Sequence, residues 1–261
     1  MPVRSFCLQG IESSLILYMP SDKRYNLFIH WSTALEPGEK NMIIRQLKLK
    51  HDITANAAHI SDNKEIPEAL NKLEIPHPKT VIVLVGGAGG IESLDKLAMQ
   101  KAVGIIAKLA EETHSVVLDG GTQAGIMTEI GTQRKQNKYS FPLIGVVFDS
   151  LLMKEEPHSI LDPNHTDFFL IPGDDWGDES SWISKIATII AGKEKSITIL
   201  VNGGNISRTD VEYSLLENRP TVIMRGTGRL ADEITLTGKV FAVDISKKPD
   251  EILAILKSKL L

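Results

Sequence analysis

Val81-Ile82-Val83-Leu84-Val85-Gly86-Gly87-Ala88-Gly89-Gly90 decides how this chain is read. An unbroken apolar, mostly β-branched run has the character of a strand buried on both faces. The glycines that follow let the backbone turn tightly and let another group come close. The pattern returns three times: Val116–Leu118 into Asp119-Gly120-Gly121-Thr122, Ile197–Val201 into Asn202-Gly203-Gly204-Asn205, and Thr221–Met224 into Arg225-Gly226-Thr227-Gly228-Arg229. Parallel strands bring their carboxyl ends to one edge of a sheet, so four such turns gather there as a backbone-lined crevice. Amides at helix N-termini attract anions, and the pattern therefore points to a binder of a phosphate-bearing small molecule.

Strand and helix signals alternate on either side of these turns. Ile91–Thr113 repeats Leu94, Leu97, Ala98, Ile105, Ile106 and Leu109 on a helical period. Strands are expected at Ser115–Leu118, Pro142–Phe148, Thr166–Ile171, Ile197–Val201, Pro220–Met224 and Val240–Ile245. Helices are expected at Gly125–Lys138, Ser180–Ala191, Ser207–Asn218, Arg229–Leu236 and Pro249–Leu261. The fold class is α/β, with helices covering both faces of a mostly parallel sheet. Residues 1–76 read differently, as a small N-terminal extension or an edge addition to the main domain. Phe6–Leu8, Ser14–Tyr18 and Tyr25–Trp31 are strand-like there, and a short helix carries Ile66, Leu70 and Leu73. Pro76 and Pro78 mark the expected boundary with a main domain over 77–261.

Composition narrows the function classes. The chain has 261 residues, 42% of them hydrophobic and 24% charged, with a net charge of −4 and a pI near 6.0. These are values of a soluble globular protein, and they supply no overall attraction to nucleic acid or anionic lipid. No basic stripe or aromatic ladder suggests nucleic-acid binding. No signal peptide or membrane-spanning run is evident, so a cytoplasmic location is expected. Cys7 is the single cysteine, which excludes an intrachain disulfide and reads as a buried structural thiol. The seven histidines show no paired metal spacing, and His158 and His165, near Asp162 and Asp167, read as loop and strand-edge residues. No metal and no required cofactor are expected.

The ordinary dinucleotide fingerprint does not fit, because its third glycine falls on Glu92, and no Walker lysine follows a glycine run. The candidate ligand-binding set is the turns themselves: Gly86, Gly87, Ala88 and Gly89; Asp119, Gly120, Gly121, Thr122, Gln123 and Gly125; Asn202, Gly203, Gly204 and Asn205; Gly226, Thr227, Gly228 and Arg229. Thr122 and Thr227 offer hydroxyls beside backbone amides, and Arg229 offers a bidentate charge-assisted bond to phosphate or pairs with Asp232. Asp119, Asn202 and Asn205 read ribose or a base, or serve as turn-formers. Trp176 stacks on an adenine or packs against its own loop.

Three stretches together resemble the SLOG superfamily, most closely its LSDAT branch, the Rossmann-like domain also found in melastatin-type TRP channels. They are Leu118-Asp119-Gly120-Gly121-Thr122 running into Gly125-Ile126-Met127, Asn164-His165 leading to Phe168 and the acidic loop Gly173–Glu179, and Asn202-Gly203-Gly204 followed by Arg225-Gly226-Thr227-Gly228-Arg229 with Ala231-Asp232. The resemblance covers roughly residues 79 to 245 and implies a three-layer αβα sandwich. It also implies a nucleotide-derived ligand, with ADP-ribose and other NAD-derived signals leading, and association into a homo-oligomer.

Enzymatic chemistry is the alternative to a ligand-binding module. LOG proteins of the same superfamily, which cleave ribose phosphate from nucleotides, are similar over Asn202–Asp210, but Ile206 replaces a glycine, Ser207 a threonine and Asp210 a glutamate. Asp210 and Glu212 are the catalytic candidates for a nucleotide N-glycosidase or phosphoribohydrolase, and both are equally at home as acids near a helix N-terminus.

Overall fold

A computed structural model describes residues 42–49, 53–89, 93–153 and 160–261. The strand-like stretches within residues 1–41, Cys7 and His158 lie outside the described residues. Among the described residues nine strands form one sheet: β1 (Ile43–Lys48), β2 (Thr54–His59), β3 (Val81–Gly86), β4 (Val116–Asp119), β5 (Leu143–Phe148), β6 (Asp167–Ile171), β7 (Ser196–Val201), β8 (Thr221–Arg225) and β9 (Val240–Asp244). Their order is β1-β2-β6-β5-β4-β3-β7-β8-β9. Only β1 and β2 are antiparallel; the other pairs run parallel. The helices are α1 (Ile66–Lys72), α2 (Ser93–Thr113), α3 (Gly125–Gln136), α4 (Glu179–Ala191), α5 (Asn205–Leu216), α6 (Leu230–Glu233) and α7 (Pro249–Leu260).

Period-two alternation explains the layers. In β3, Val81, Val83 and Val85 join the cluster that holds Leu70 of α1, Ile186 of α4, Val211 of α5 and Leu230 of α6. Ile82 and Leu84 point the other way, into Ile106 of α2, Ile130 of α3 and Leu256 of α7. Both faces of the strand are therefore dry, as its continuous apolar reading requires, and the result is a three-layer αβα sandwich.

Strand β2 pairs with β6, which places β1 and β2 at one edge of the main sheet, the edge addition that the sequence left open beside a separate extension, and the compact unit that holds them begins at Met42. Two expectations are corrected. The buried stripe of α2 runs through Met99, Ala102, Val103, Ile106 and Leu109, while Leu97 is 71% exposed. The helix expected over Arg229–Leu236 shrinks to α6: Arg229 has φ 51°, Ile234 is extended, and the Arg225 guanidinium takes the carbonyls of Ala231 and Ile234 at 2.8 and 2.6 Å.

Chain order places the crevice. From β3 the chain moves outward through β4, β5 and β6, then returns to build β7, β8 and β9 on the other side. The direction reverses between β3 and β7, where loops diverge and ligands enter open α/β sheets. The four glycine turns follow β4, β3, β7 and β8, which are consecutive neighbours around that point.

Candidate functional site

The β3 turn is bound to its neighbours. Gly87 Nα–H donates to Val201 O at 3.3 Å, and Gly87 O accepts the Ile126 amide at 3.1 Å. The first turn of α3 is thereby partly consumed by the protein. Gly125, at φ +45°, permits this approach, since a Cβ there would run into Gly87 O. Gly86 is equally constrained, with Val201 O on one side and Ile126 on the other, and Ser207 Oγ donates to Gly86 O at 3.1 Å. Ala88 and Gly89 are exposed.

The β4 turn faces inward. Asp119 is 1% exposed; its Oδ1 accepts the Gly121 amide at 2.7 Å and lies 2.8 Å from His165 Nε2. His165 Nδ1 lies 3.3 Å from Asp162 Oδ1, and the second oxygen of each carboxylate is buried without a partner. Burial by itself lowers an imidazole pKa, but the charge and hydrogen bonds of Asp119 and Asp162 outweigh it and raise His165 to about 9. Residues 160–162 cover the turn: Gln123 Nα–H donates to Ile160 O, Asp162 Nα–H donates to Gly121 O, and Thr122 bridges Leu161. Gly120 and Gln123 keep partial exposure, whereas Gly121 is buried against Gly145 and Phe168. The expectation that His165 is a simple strand-edge residue is corrected: it is the centre of a buried ionic network that the spacing His165–Asp162, without Asp119 from another strand, did not reveal.

The β7 and β8 turns are tied together from within and open outside. Asn202, buried at φ +59°, donates its amide to Thr227 Oγ1 at 2.8 Å and Nδ2 to Thr227 O at 2.7 Å. Thr227 Oγ1 donates to Met224 O at 2.6 Å, and Thr122 Oγ1 donates to Met127 Sδ at 3.6 Å. Both threonines are buried, and their hydroxyls donate to internal acceptors in this structure. Asp232 takes the amides of Gly226 and Gly228 at 2.6 and 2.8 Å rather than pairing with Arg229.

Arg229 is exposed and reaches back over the edge. Nη1 donates to Gly89 O at 2.9 Å and lies 3.5 Å from Asn202 Oδ1, and Nη2 lies over Gly204. Beside it is a cleft of about 180 Å³ lined by Gly203, Gly204, Asn205, Arg208, Arg229, Leu230 and Glu233. Neither Arg208 nor Arg229 forms an ion pair among the described residues. Helix α5 starts in this cleft with Gly204 as N-cap and no side-chain cap, so its first amides keep hydrogen-bonding capacity. Two guanidinium groups and an uncapped helix N-terminus outweigh the one carboxylate in the lining, Glu233, and leave the cleft net positive.

Arg208 and Asp95 are site residues that the sequence reading missed. Arg208 becomes legible only as the next turn of α5, and Asp95, in the first turn of α2, arrives from 107 residues away to lie 3.4 Å from Asn202 Nδ2. The catalytic candidates separate. Glu212 is exposed. Asp210 is half-buried, with Oδ1 sealed off and unpartnered, and its pKa rises to about 7. Burial is the main cause; nearby Ser180 opposes the shift and Glu179 adds to it. Glu179 is itself raised, first by burial, although it accepts the Gly177 amide at 2.9 Å. Ile206 points toward Gly177 of the acidic loop, and Trp176 of that loop packs edge-on against Phe148 at 5.4 Å. Arg219, within the motif region, is structural: its guanidinium binds Ser184 and Thr188 of α4, and burial lowers its pKa to about 10.

Among the described residues, no three His, Cys, Asp or Glu side chains form a metal-holding group and no helix is long and apolar enough to cross a membrane. A family model described as "SLOG in TRPM, prokaryote" matches residues 79–259. A transient receptor potential cation channel subfamily M member-like 2 from Nematostella vectensis is 25% identical over 234 residues. The match takes in 72% of this chain and 14% of that protein. The X-ray structure of TM1055 superposes with a TM-score of 0.50 at 17% identity, covering 69% of this chain and 99% of that one, a likeness of fold. A molybdenum cofactor binding protein from the phototrophic bacterium Rippkaea orientalis gives a TM-score of 0.47 at 13% identity over 69% of this chain and 96% of that one.

Proposed function

The chain belongs to the SLOG-in-TRPM family of prokaryotic type, and from that premise we propose that it binds a nucleotide-derived, phosphate-bearing ligand at the carboxyl edge of its sheet, with ADP-ribose or another NAD-derived signal as the leading class. The observation that carries this reading is the cleft beside β7 and β8, where Arg208, Arg229 and the uncapped start of α5 converge; Glu233 also lines it, but neither arginine is in an ion pair among the described residues. A phosphate there gains charge-assisted hydrogen bonds and the favourable end of the helix dipole. The ligand-binding role of the other half of the crevice is narrower than the glycine pattern suggests, because the β4 turn spends its polar groups on the protein.

The test is a thermal-shift panel of ADP-ribose, cyclic ADP-ribose, NAD and AMP, each incubation then analysed by mass spectrometry. A saturable shift with intact ligand, weakened at least tenfold in affinity by Arg229→Ala, supports the reading. No shift with any of the four overturns it.

Asp210 favours a second reading, an N-glycosidase or phosphoribohydrolase. A carboxyl group raised to about 7 holds a proton near neutral pH, as a general acid must. Release of free base or ribose phosphate in the same incubations, abolished by Asp210→Asn, carries that reading.

A further inference from the structure

We propose that Asp95 selects for ligands with a vicinal diol and fixes their direction in the crevice, with the diol at Asp95 and the anionic group at Arg229. This rests on the carboxyl-edge reading above and assigns a residue that neither the glycine turns nor the motif positions include.

The geometry is that of a carboxylate placed across the switch point. Asp95 leaves the first turn of α2 and reaches over to the β7 and β8 turns. Gly228 lies against it so closely that a Cβ at that position would overlap both carboxylate oxygens; the absence of a side chain on Gly228 makes room for Asp95. Asp95 is half-buried, and the 3.4 Å contact from Asn202 Nδ2 is the hydrogen bond that it accepts among the described residues. That donor's shorter bond goes to Thr227 O at 2.7 Å. A carboxylate offers about four acceptor sites, so as far as the described residues go most of the capacity of Asp95 remains for a donor entering from the crevice.

Asn202 sets the polarity. Its carboxamide is held with the oxygen toward Arg229 at 3.5 Å and the nitrogen toward Asp95 at 3.4 Å, so a fixed amide separates a cation from an anion. A carboxylate accepts hydroxyl hydrogens and repels phosphate, while a guanidinium does the reverse. A molecule carrying phosphate at one end and two adjacent hydroxyls at the other fits in one direction only. The reversed pose sets anion against anion, and discrimination comes from that repulsion as much as from the attraction.

The experiment measures affinities of the full chain for AMP and for 2′,3′-dideoxy-AMP by calorimetry, with wild type and Asp95→Asn. The expected result is that wild type prefers AMP by on the order of tenfold to a hundredfold, the scale set by hydrogen bonds to a charged acceptor. Asp95→Asn is expected to erase most of that preference while leaving the affinity for the dideoxy compound unchanged or higher. Equal wild-type affinities for the two compounds overturn the assignment of Asp95 and leave the site reading standing, whatever the variant does. A preference that survives in Asp95→Asn also overturns it and makes the residue structural. If wild type binds neither compound, the assignment of Asp95 fails, while the nucleotide reading of this edge is decided by the four-compound panel above.

Discussion

Asp119-Gly120-Gly121-Thr122 and Asn202-Gly203-Gly204-Asn205 are nearly the same turn, each ending a central strand and each opening toward a helix. In both, the leading side chain is buried and accepts a nearby amide, Gly121 for Asp119 and Gly203 for Asn202. Their surroundings then diverge. The chain from Ile160 to His165 folds over the first turn and supplies an imidazole to its aspartate. The second turn is left open to Arg208, Arg229 and the start of α5. The same local grammar makes a sealed structural joint on one side of β3 and an open, arginine-lined cleft on the other, and what decides between them is which distant segment lies on top.

The largest expected break in this comparison is Gly121→Ala. Its Cβ would meet the Gly145 backbone at 2.7 Å with φ at +64°, so the strain cannot relax through a side chain. A loss of about 3 to 4 kcal/mol in urea unfolding is expected. The matching Gly204→Ala meets only the end of the flexible Arg229 side chain at 2.7 Å. It is expected to cost about 1 kcal/mol or less of stability while weakening nucleotide binding by displacing the guanidinium. Equal destabilisation by the two substitutions would mean that the β7 turn is as closed as the β4 turn.

His165→Leu removes the charge between two buried carboxylates and is expected to cost about 3 kcal/mol at pH 6. The wild-type contribution has a definite pH window. Because the folded pKa of about 9 lies above the ordinary 6.5, the network stabilises fully below pH 6.5 and loses its contribution as pH rises through about 9. Urea midpoints measured from pH 6 to 10 should fall for wild type and stay flatter for the variant. Histidine resonances that titrate near 6.5 throughout would remove His165 from this role.

On the open side, Arg208→Ala combined with Arg229→Ala is expected to leave unfolding free energy within about 0.5 kcal/mol of wild type, since both groups are exposed, neither is in an ion pair among the described residues, and the Arg229 bond to Gly89 O lies at the surface. The same pair of changes should weaken AMP or ADP-ribose binding at least tenfold at 0.1 M salt. The effect expected from Asp210→Asn lies in the pH dependence of stability. A carboxyl raised to about 7 binds more protons folded than unfolded between pH 4 and 7, so wild type loses stability as pH rises across that range. The amide removes the slope and is expected to stabilise by about 1 kcal/mol at pH 8, read from the same urea series.

Much of this was legible from local pattern. The strands from β3 to β8 announce themselves because a buried parallel strand is largely apolar throughout, and Val81–Val85 and Leu143–Phe148 have no polar interruption. Helices α3, α4, α5 and α7 followed from periodicity to within two residues at each end. Strand β2 was missed for a physical reason. Thr54-Ala55-Asn56-Ala57-Ala58-His59 has little intrinsic strand preference, and it is backbone pairing with β6 and β1 that makes it a strand and carries Ala55, Ala57 and Ala58 into the core. Leu97 was misassigned to the core because a helix shows a plausible apolar face from sequence even where no partner covers it.

By itself, then, the sequence determined the α/β alternation, the parallel sheet and the glycine turns at its carboxyl edge, since these follow from side-chain period, β-branching and the conformations open to glycine, all properties of neighbours in the chain. Only the tertiary structure decided which turns remain open. It buried Asp119, Thr122 and Thr227, brought His165 to Asp119 across 46 residues and Asp95 to Asn202 across 107, and left Arg208 and Arg229 facing an uncapped helix. The reason is that a hydroxyl or carboxylate binds whichever partner is nearest in space, and strand order, not sequence spacing, sets what is near.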